Sequence, residues 1–500
     1  MNSNWRQLDI RIYAVIASLL ISAFTLAFPD TPNDDAYTYV KTAEVFLSDG
    51  FAAAYQHYEW ASYSVLIGLV SSIGIDLLTA GLFINALLYA ILVYGFVSIV
   101  KEIDDSKTVL FLAVVSILLY PQLNEYRYRI IRDVGFWAFS ILALWQYLQF
   151  ARSHSIKNAL AFCGSLLIAT TFRVEAIAYL LITPFALLLD ARYEWRLRRR
   201  LFFTLIGIVF AASVLGIVLL GILGIDIPNL FVRFVSVYEP FIRNTFSPDE
   251  ARLSELAGVL FNEHAAAYSK EYITIFMAAG FLAILLANLF TAIGGPYLII
   301  LLLGFFKKTL RLGREVAIPM MAYLLVNAAI LFAFLYITRF LSSRYAMLFC
   351  ILLAIFVPLI LAQLLQGAEA SKLKAAHILL TLFFTYCTID AYYSFGESKD
   401  HVFDSIEWLA ENTDDSSGLV SNNHAIAYFS GKVEDYDLVL RYLTEEQILS
   451  SAVGDTIAVE MYYEMEQLLA RASITPYIEL QTEFPGRKNQ RIAIYRRVNP

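Results

Sequence analysis

The stretch that decides how this sequence is interpreted follows its first apolar segment and reads Phe28-Pro29-Asp30-Thr31-Pro32-Asn33-Asp34-Asp35-Ala36-Tyr37. Asp34 and Asp35 are adjacent carboxylates placed just beyond residues 9 to 28, which are apolar. Because neighbouring carboxylates repel each other, the pair favours a metal, a cationic ligand or a shared proton as its companion. The structural alternative is that Asp34 or Asp35 simply begins a helix.

The composition of the chain is that of a membrane protein. Hydrophobic residues make up 59% and charged residues 16% of its 500 residues, whereas soluble domains carry roughly 25% charge. Apolar stretches suited to membrane crossing, which takes about 20 residues in a helix, recur about eleven times. The predicted spans are 9–28, 77–100, 108–121, 133–151, 158–172, 176–190, 201–224, 273–306, 316–337, 345–366 and 375–394.

Basic residues in alternate connections orient these spans, because cytoplasmic loops carry an excess of Lys and Arg. They are Arg6, Arg11, Lys101, Lys107, Arg152, Lys157, Arg192, Arg196, Arg198, Arg199, Arg200, Lys307, Lys308, Arg311, Arg314, Lys372 and Lys374. With an odd number of spans, the N-terminus is expected to be cytoplasmic, and the acid pair and the C-terminal part extracytoplasmic. The first span has no small-residue cleavage site and is expected to be retained.

Three outer loops break the charge rule because they carry arginines. They hold Arg127, Arg129 and Arg132 beside Asp133, then Arg173 near Glu175, and then Arg339 and Arg344 beside Tyr345. A guanidinium is a rigid fork of donors that suits phosphate oxygens, so the set favours an anionic ligand. The alternative is that the arginines form salt bridges between helices with the nearby acids.

Two long outer loops, 29–76 and 225–272, are predicted. Residues 35–60 indicate one or two amphipathic surface helices that end in aromatic residues around His57 and Glu59, and residues 61–74 a short half-buried helix. The pair Glu263-His264 in the second loop is a weak metal signal, better explained by a solvated helix face. Three cysteines, Cys163, Cys350 and Cys387, lie in apolar spans and indicate no disulfide framework.

The chain divides into a membrane part, 1–395, and a more polar C-terminal part, 396–500. The second part alternates predicted helices and strands: helix at 405–409, strand at 418–420, strand at 456–459, helix at 462–472 and strand at 491–495. This pattern predicts a small soluble α/β domain that helps to shape an acceptor site. It holds no glycine-rich phosphate loop and no nucleophile elbow.

The order of the motifs resembles that of the GT-C superfamily of integral-membrane glycosyltransferases, in the branch of bacterial aminoarabinose transferase and protein O-mannosyltransferase-like enzymes. The shared features are Asp-Asp-Ala-Tyr after the first span, an amphipathic first outer loop closing with aromatic residues, Arg-Asp at the second outer loop, Arg-Val-Glu at the third, and Ser-Arg-Tyr at a later one. The resemblance implies a GT-C-like helical membrane fold with an extracytoplasmic C-terminal domain. It also implies a polyprenyl-phosphate-linked sugar as donor and transfer with inversion.

The resemblance implies a role for each matching residue. Asp34 would be the catalytic base, assisted by Asp35, with Asp133 as the acid of the second outer loop; Arg132, Arg173 and Arg344 would bind the donor phosphate. Candidate contacts to acceptor or sugar are Tyr37, His57, Glu59, Glu175 and Tyr345. No cofactor is assigned; a divalent metal is left open, with Asp35, Glu263 and His264 as weak candidates.

The sequence therefore predicts a cell-envelope glycosyltransferase of the cytoplasmic membrane, acting in lipopolysaccharide or other glycan biosynthesis. Its partners would be the lipid bilayer, the polyprenyl-phosphate sugar and a glycan, lipid or protein acceptor, with no nucleic acid. The alternative is a flippase or transporter for a lipid-linked or anionic sugar. Transporters usually place charges near the bilayer midplane and show repeated halves, whereas the charges here cluster at span ends. The identities of sugar and acceptor stay open.

Overall fold

The fold is described from a computed structural model. It covers residues 9–26, 31–222, 228–229, 232, 235–236, 239, 258–261, 272–310, 312–367, 371–393, 399–414, 417–487 and 490–499. Glu263 and His264, the weak metal candidates, lie outside the described residues, as do Arg233 and Arg243 of the second predicted outer loop.

Helices dominate the chain up to residue 393, because its long apolar runs can satisfy their backbone groups in a bilayer only as helices. We number them in chain order: α1 Ile10–Thr25, α2 Asp34–Asp49, α3 Phe51–His57, α4 Ser62–Ser71, α5 Leu77–Ile103, α6 Lys107–Leu118, α7 Pro121–Asn124, α8 Asp133–Ser153, α9 Ile156–Phe172, α10 Ala176–Ile182, α11 Phe185–Leu189, α12 Trp195–Ile222, α13 Ile273–Ile293, α14 Gly295–Phe306, α15 Arg314–Thr338, α16 Ser343–Ala354, α17 Phe356–Gln366 and α18 Leu373–Tyr392.

Seven segments within the described ranges are long and apolar enough to cross a membrane by length and composition. They are Leu77–Ile103, Asp133–Ser153, Trp195–Val218, Ile275–Ile293, Arg314–Thr338, Ser343–Gln366 and Leu373–Tyr392. Shorter apolar helices, among them α1, α6, α9 and α14, accompany them. The predicted class, a polytopic helical membrane protein, is confirmed, and the number of about eleven spans stays a prediction.

One predicted span is wrong as a continuous helix. The span 273–306 breaks at Gly294, whose φ of 74° is the left-handed region that glycine adopts without strain. The predicted span 176–190 contains α10 and α11, and the turn at Thr183-Pro184 between them keeps helical backbone angles although proline lacks an N–H.

The chain forms two compact units. The helical unit comprises Met1–Ala23, Asn85–Arg127 and Arg132–Tyr392, and the sheet unit comprises Phe24–Ile84, Tyr128–Ile131 and Tyr393–Pro500. The first predicted outer loop thus belongs, by its contacts, with the C-terminal residues. Its predicted helices are confirmed as α2, α3 and α4.

The C-terminal part of the sheet unit contains a four-stranded sheet, and the expected α/β alternation is confirmed. Its elements are α19 Asp400–Asn412, β1 Leu419–Ser421, α20 His424–Phe429, α21 Glu445–Leu449, β2 Thr456–Glu460, α22 Tyr463–Leu469, β3 Ile478–Pro485 and β4 Arg491–Arg497. The strand order is β1-β2-β4-β3, with β1 and β2 parallel and the other pairs antiparallel.

Strand β2 lies inside the sheet and is covered on both faces. Ile457 and Val459 pack in a cluster with Met465 of α22, whereas Ala458 joins a second cluster. This alternation follows from the pleat, which turns successive side chains to opposite faces.

Helix α2 packs on the second of these clusters. Tyr37 and Val40 are buried there with Leu409 of α19 and Ile426 of α20. The Tyr37 ring stacks on His424 with ring centroids 5.6 Å apart. One turn further, Lys41 Nζ donates to the backbone oxygen of Glu434 at 2.9 Å. The face of α2 that carries Tyr37 and Lys41 therefore lies against the residues around α20.

Candidate active site

The site in the helical unit is built around a buried arginine. Arg173 Nη1 lies 2.5 Å from Asp133 Oδ1, and Arg173 Nη2 lies 2.6 Å from Glu175 Oε1. The side chains of Arg173 and Asp133 are 9% and 2% exposed. A buried ion pair is tolerated because each charge is compensated by its partner. Removal of one partner would leave the other charge buried and uncompensated, which destabilises the protein.

Local sequence brings these groups together. Asp133 is the first residue of α8, and Arg173 follows the last residue of α9 in an extended conformation, with φ −147° and ψ 121°. The ring of Phe172 packs directly over Gly135, where a Cβ atom would collide with it. Because Phe172 precedes Arg173 and Gly135 follows Asp133, this close approach of α9 to α8 sets the distance between the two charged residues.

A second arginine reaches the same carboxylate. Arg344 Nε lies 3.3 Å from Asp133 Oδ2. The next residue, Tyr345, presents its ring to both cations: the guanidinium carbon of Arg173 is 4.5 Å and that of Arg344 5.3 Å from the ring centroid. Contacts of cations with aromatic rings at these distances add stabilisation beyond the ion pairs. Asp133 is thus held by Arg173, which follows α9, and by Arg344 in the first turn of α16.

The electrostatics of the site favour the charged forms. Burial alone would raise the pKa of Glu175, but the charge of Arg173 and its hydrogen bond outweigh burial and leave the pKa below its ordinary value of 4.5. Burial disfavours the charged form of Arg173, yet Glu175 and Asp133 together raise its pKa well above the usual range. The charge of Arg132 also lowers the pKa of Glu175.

Three arginines act on the carboxylates of the cluster. Arg173 and Arg344 contact Asp133, and the charge of Arg132 acts on Asp133 and Glu175. A small cavity of about 20 Å³ adjoins them, room for one water-sized group. It is lined by Asp133, Phe136, Trp137, Arg173, Glu175, Asn327, Ile330, Leu331, Phe334 and Tyr345.

The outer-loop arginines, then, are both paired and clustered. The structure brings Arg173, Arg344, Asp133, Glu175 and Tyr345 together, and the ion pairs that were the alternative to phosphate binding are present. Their role in binding a phosphate stays a prediction.

The acid pair has a different setting, in the sheet unit. Asp34 is exposed and Asp35 half-buried, and they are the first two residues of α2. The N-cap position is taken by Asn33, whose side chain makes no capping bond; it exchanges hydrogen bonds with the backbone of Ile130 at 2.8 and 3.2 Å. Carboxylates in the first turn interact favourably with the helix dipole, and Asp34 is open to solvent.

A polar cluster lies where the parallel strands β1 and β2 end. The buried Asn422 donates from Nδ2 to the backbone oxygens of Arg441 and Glu460, both at 3.0 Å, and accepts at Oδ1 from Glu460 N at 2.7 Å. Asn423 Nδ2 donates to Glu460 Oε2 at 2.8 Å. The carboxyl ends of parallel strands are a common position for ligand sites in α/β folds.

An arginine and a tyrosine complete this cluster near Asp34. The guanidinium carbon of Arg441 is 4.5 Å from the ring centroid of Tyr462. Burial raises the pKa of the Tyr462 hydroxyl, the charge and hydrogen bond of Glu460 raise it further, and Asp34 adds to the same effect. Asp34 therefore lies within electrostatic range of Tyr462.

The remaining predicted contacts have mixed surroundings. Tyr37 is buried in the core of the sheet unit, where it stabilises packing. His57 Nε2 lies 2.9 Å from the buried Asp437 Oδ2, so it links α3 to the C-terminal part. Glu59 is exposed.

The described residues include no group of three or more His, Cys, Asp or Glu side chains placed to hold a metal ion.

Sequence reasoning missed two parts of these sites. Asn327 lies inside the apolar helix α15 and lines the cavity; a polar side chain within a predicted span was the available signal. The cluster of Arg441, Glu460 and Tyr462 joins residues far apart in the chain, and no local pattern marks it.

Comparison with solved structures gives the fold its class. No family model matches the chain, and no curated protein matches it in sequence. Several solved structures match it in fold, and they show that it shares the fold of archaeal oligosaccharyltransferase AglB and of ArnT.

Two proteins illustrate the likeness. Archaeal oligosaccharyltransferase AglB from Archaeoglobus fulgidus, in complex with an inhibitory peptide and a dolichol-phosphate, is 12% identical with a TM-score of 0.53; the match covers 98% of this chain and 74% of AglB. ArnT from Cupriavidus metallidurans bound to undecaprenyl phosphate is 10% identical with a TM-score of 0.53, over 100% of both chains. ArnT in the apo state is 12% identical with a TM-score of 0.50, over 98% of each chain.

Proposed function

We propose that this protein is a membrane glycosyltransferase that transfers one sugar from a polyprenyl-phosphate donor to an acceptor on the outer face of the cytoplasmic membrane. The observation that carries the proposal is the pair of arginines, Arg173 and Arg344, that converge on the buried Asp133 beside a cavity in a GT-C-like fold. ArnT in complex with undecaprenyl phosphate and AglB in complex with a dolichol-phosphate support a lipid phosphate as donor.

The arginines would stabilise the leaving phosphate. When the bond between the anomeric carbon and the phosphate oxygen breaks, negative charge develops on that oxygen, and preorganised cations lower the free energy of this state. Arg173 is fixed by Asp133 and Glu175, so it would need little reorganisation during the reaction. Arg344 has the more exposed side chain, 23% against 9%, and is the one better placed to reach a ligand.

Asp34 would act as the general base. In this step the acceptor hydroxyl gives its proton to the Asp34 carboxylate, its oxygen forms the new bond to the anomeric carbon, and polyprenyl phosphate departs with the electron pair of the broken bond. Inversion at the anomeric carbon is carried over from the family resemblance. The exposure of Asp34 supports this role, because a base must meet the acceptor.

The polar cluster of Asn423, Arg441, Glu460 and Tyr462 would contribute to acceptor binding. It offers hydrogen-bond donors, an acceptor carboxylate and an aromatic ring in electrostatic range of Asp34. Hydroxyl-rich ligands are bound through groups of these kinds.

The proposal is tested with purified protein in liposomes. Undecaprenyl phosphate should raise the thermal unfolding temperature of the parent protein and of Arg339→Ala, a control from the same loop as Arg344, but much less that of Arg344→Ala. Sugar transfer is then measured by mass spectrometry with lipid extracts from the host membrane. If a labelled lipid-linked sugar moved across the liposome membrane and no sugar were transferred, the protein would be a transporter and the proposed enzymatic function would be refuted.

The outer location is tested separately. A reporter that is active only in the cytoplasm, fused after Pro500, should give no signal. A strong signal would place the C-terminal part on the cytoplasmic side and refute the proposed location, whatever the result of the binding assay.

A further inference from the structure

An asparagine lies inside the apolar helix α15 and faces the cavity. Asn327 is 2% exposed and is surrounded in sequence by Tyr323, Leu324, Leu325, Val326, Ala328, Ala329 and Ile330. A polar side chain within a membrane-crossing helix is unfavourable unless it is paired, and such residues are usually functional. Its partners are therefore informative.

One half of the Asn327 amide is paired. Nδ2 lies 2.6 Å from the hydroxyl oxygen of Tyr179, which is completely buried. Tyr179 follows Glu175, the N-cap residue of α10, by four residues, so the carboxylate of the arginine cluster and this hydroxyl lie on the same side of α10. The ring of Tyr179 also packs on Tyr323, with centroids 4.8 Å apart. Packing thus fixes the hydroxyl that orients the amide.

The other half of the amide has no protein partner. Among the described residues, no hydrogen-bond donor reaches Asn327 Oδ1, although the atom is buried and the residue lines the cavity beside Asp133 and Arg173. A buried oxygen left unsatisfied costs about 1 to 3 kcal/mol. The cavity is therefore suited to a group that donates a hydrogen bond.

The chemistry of the proposed donor identifies that group. The polyprenyl chain has no polar hydrogen, and the oxygens of an ionised phosphodiester only accept hydrogen bonds. The sugar carries hydroxyl or amino groups, which donate. A cavity of about 20 Å³ admits one group the size of a hydroxyl.

We infer that the Oδ1 atom of Asn327 accepts a hydrogen bond from a hydroxyl or amino group of the donor sugar, which makes Asn327 a determinant of sugar recognition. This inference rests on the proposed function. The arginines would bind the lipid phosphate, whereas Asn327 would contact the sugar that is attached to it.

The test compares two probes on the full-length protein in detergent. One is undecaprenyl phosphate, and the other is a panel of undecaprenyl-phosphate-linked hexoses and aminopentoses. Asn327→Leu keeps the branching and the number of heavy atoms of the side chain but cannot accept a hydrogen bond. We expect it to weaken binding of the best sugar-bearing lipid by roughly 2- to 13-fold, the range of one hydrogen bond, and to leave undecaprenyl phosphate binding unchanged.

The matched control is Asn288→Leu. Asn288 lies in the apolar helix α13, is half-buried, and donates from Nδ2 to the backbone oxygen of Ile284 in the same helix at 2.9 Å. Its replacement should change neither affinity. Tyr179→Phe serves as a second variant should Asn327→Leu fail to fold: it removes the hydroxyl that orients the amide and should reduce only the affinity for the sugar-bearing lipid.

The outcomes separate the inference from the proposed function. Equal weakening of both probes would show that Asn327 contacts the phosphate and would overturn the inference. Unchanged affinity for every sugar-bearing lipid in both variants would overturn it as well. If the parent protein bound neither undecaprenyl phosphate nor any lipid of the panel, the proposed function itself would fail.

Discussion

Arg173 in the helical unit and Asp34 in the sheet unit are the two charged groups on which the proposed reaction depends, and their environments are opposite. Arg173 is buried, contacts carboxylates on two sides and lies 4.5 Å from the ring centroid of Tyr345. Asp34 is exposed at the first position of α2.

The difference matches the two tasks. A cation that stabilises a leaving group works best when its orientation is fixed before the reaction, because reorganisation then adds nothing to the barrier. A base must meet its acceptor and exchange a proton, which requires access. We therefore expect changes at Arg173 to affect stability and donor binding together, and changes at Asp34 to affect turnover alone.

The largest expected effect is on turnover, in Asp34→Asn. The amide keeps the shape of the side chain but loses its basicity, so the rate of sugar transfer should fall by about 10²- to 10⁴-fold. Folding and undecaprenyl phosphate binding should be unchanged, because Asp34 is exposed. The measurements are transfer rate, lipid binding and thermal unfolding of the same preparation.

The control for this variant is Asp49→Asn, at the exposed C-terminal end of the same helix, which should retain full activity. Asp35→Asn should be milder than Asp34→Asn; an equal loss that chelator reproduces in the parent protein would assign a metal to Asp35. A fully active Asp34→Asn protein would remove the base assignment and leave only a role in beginning α2.

The second effect in size is the loss of stability in Arg173→Ala. It leaves the carboxylates of Asp133 and Glu175 buried without their cation, which destabilises proteins by about 3 to 5 kcal/mol. Arg152→Ala is the control, since the Arg152 side chain is 52% exposed in its pair with Glu102, and such surface pairs contribute about 0 to 1 kcal/mol. Unfolding temperatures of Arg173→Ala and Arg152→Ala are measured in detergent. Equal decreases in the two variants would contradict the claim that the buried ion pairs of Arg173 stabilise the protein more than a surface pair does.

The third effect is on donor affinity, in Arg344→Ala. Loss of one charge-assisted hydrogen bond should weaken binding of undecaprenyl phosphate by about 1.5 to 3 kcal/mol, with only part restored by Lys, which lacks the planar fork. Unfolding should change less than in Arg173→Ala, because Arg344 is more exposed. Normal lipid affinity combined with easier unfolding would instead assign Arg344 a purely structural salt bridge to Asp133.

Features of the fold that depend on local sequence pattern could be predicted from the sequence, and features that depend on contacts between distant residues could not. Apolar runs and the helices of the first outer loop were predictable, because both depend on local periodicity. Strand β3, Ile478–Pro485, was missed: it pairs only with β4 at one edge of the sheet, and its mostly exposed side chains show no apolar alternation. Local pattern is a weak guide to such edge strands.

The sites depend on contacts that no local pattern contains. Arg132, Arg173 and Arg344 were selected because they violate a charge rule, and the two ion pairs to Asp133 follow from the close approach of α9 over Gly135 and from the position of Arg344. The attachment of the first outer loop to the C-terminal residues, through Tyr37 and His424, joins positions at opposite ends of the chain. Such pairings are properties of the fold.

The smallest effect tests the arginine cluster by pH. The folded-state pKa of Glu175 lies below its ordinary value of 4.5 because Arg173 outweighs burial. A carboxyl with a lowered pKa stabilises the folded protein at pH values above its unfolded pKa, and this contribution is lost as the pH falls through the folded pKa. At pH 7, Glu175→Gln should therefore unfold more easily than the parent protein, by about 1 kcal/mol. The difference in unfolding temperature should shrink as the pH is lowered from 4.5.

Glu445→Gln, in the exposed pair with Arg471, should show almost no difference at either pH. If the Glu175→Gln difference persisted unchanged in acid, shape and hydrogen bonding would hold Arg173, and the charge of Glu175 would contribute nothing to the fixed orientation that distinguishes Arg173 from Asp34.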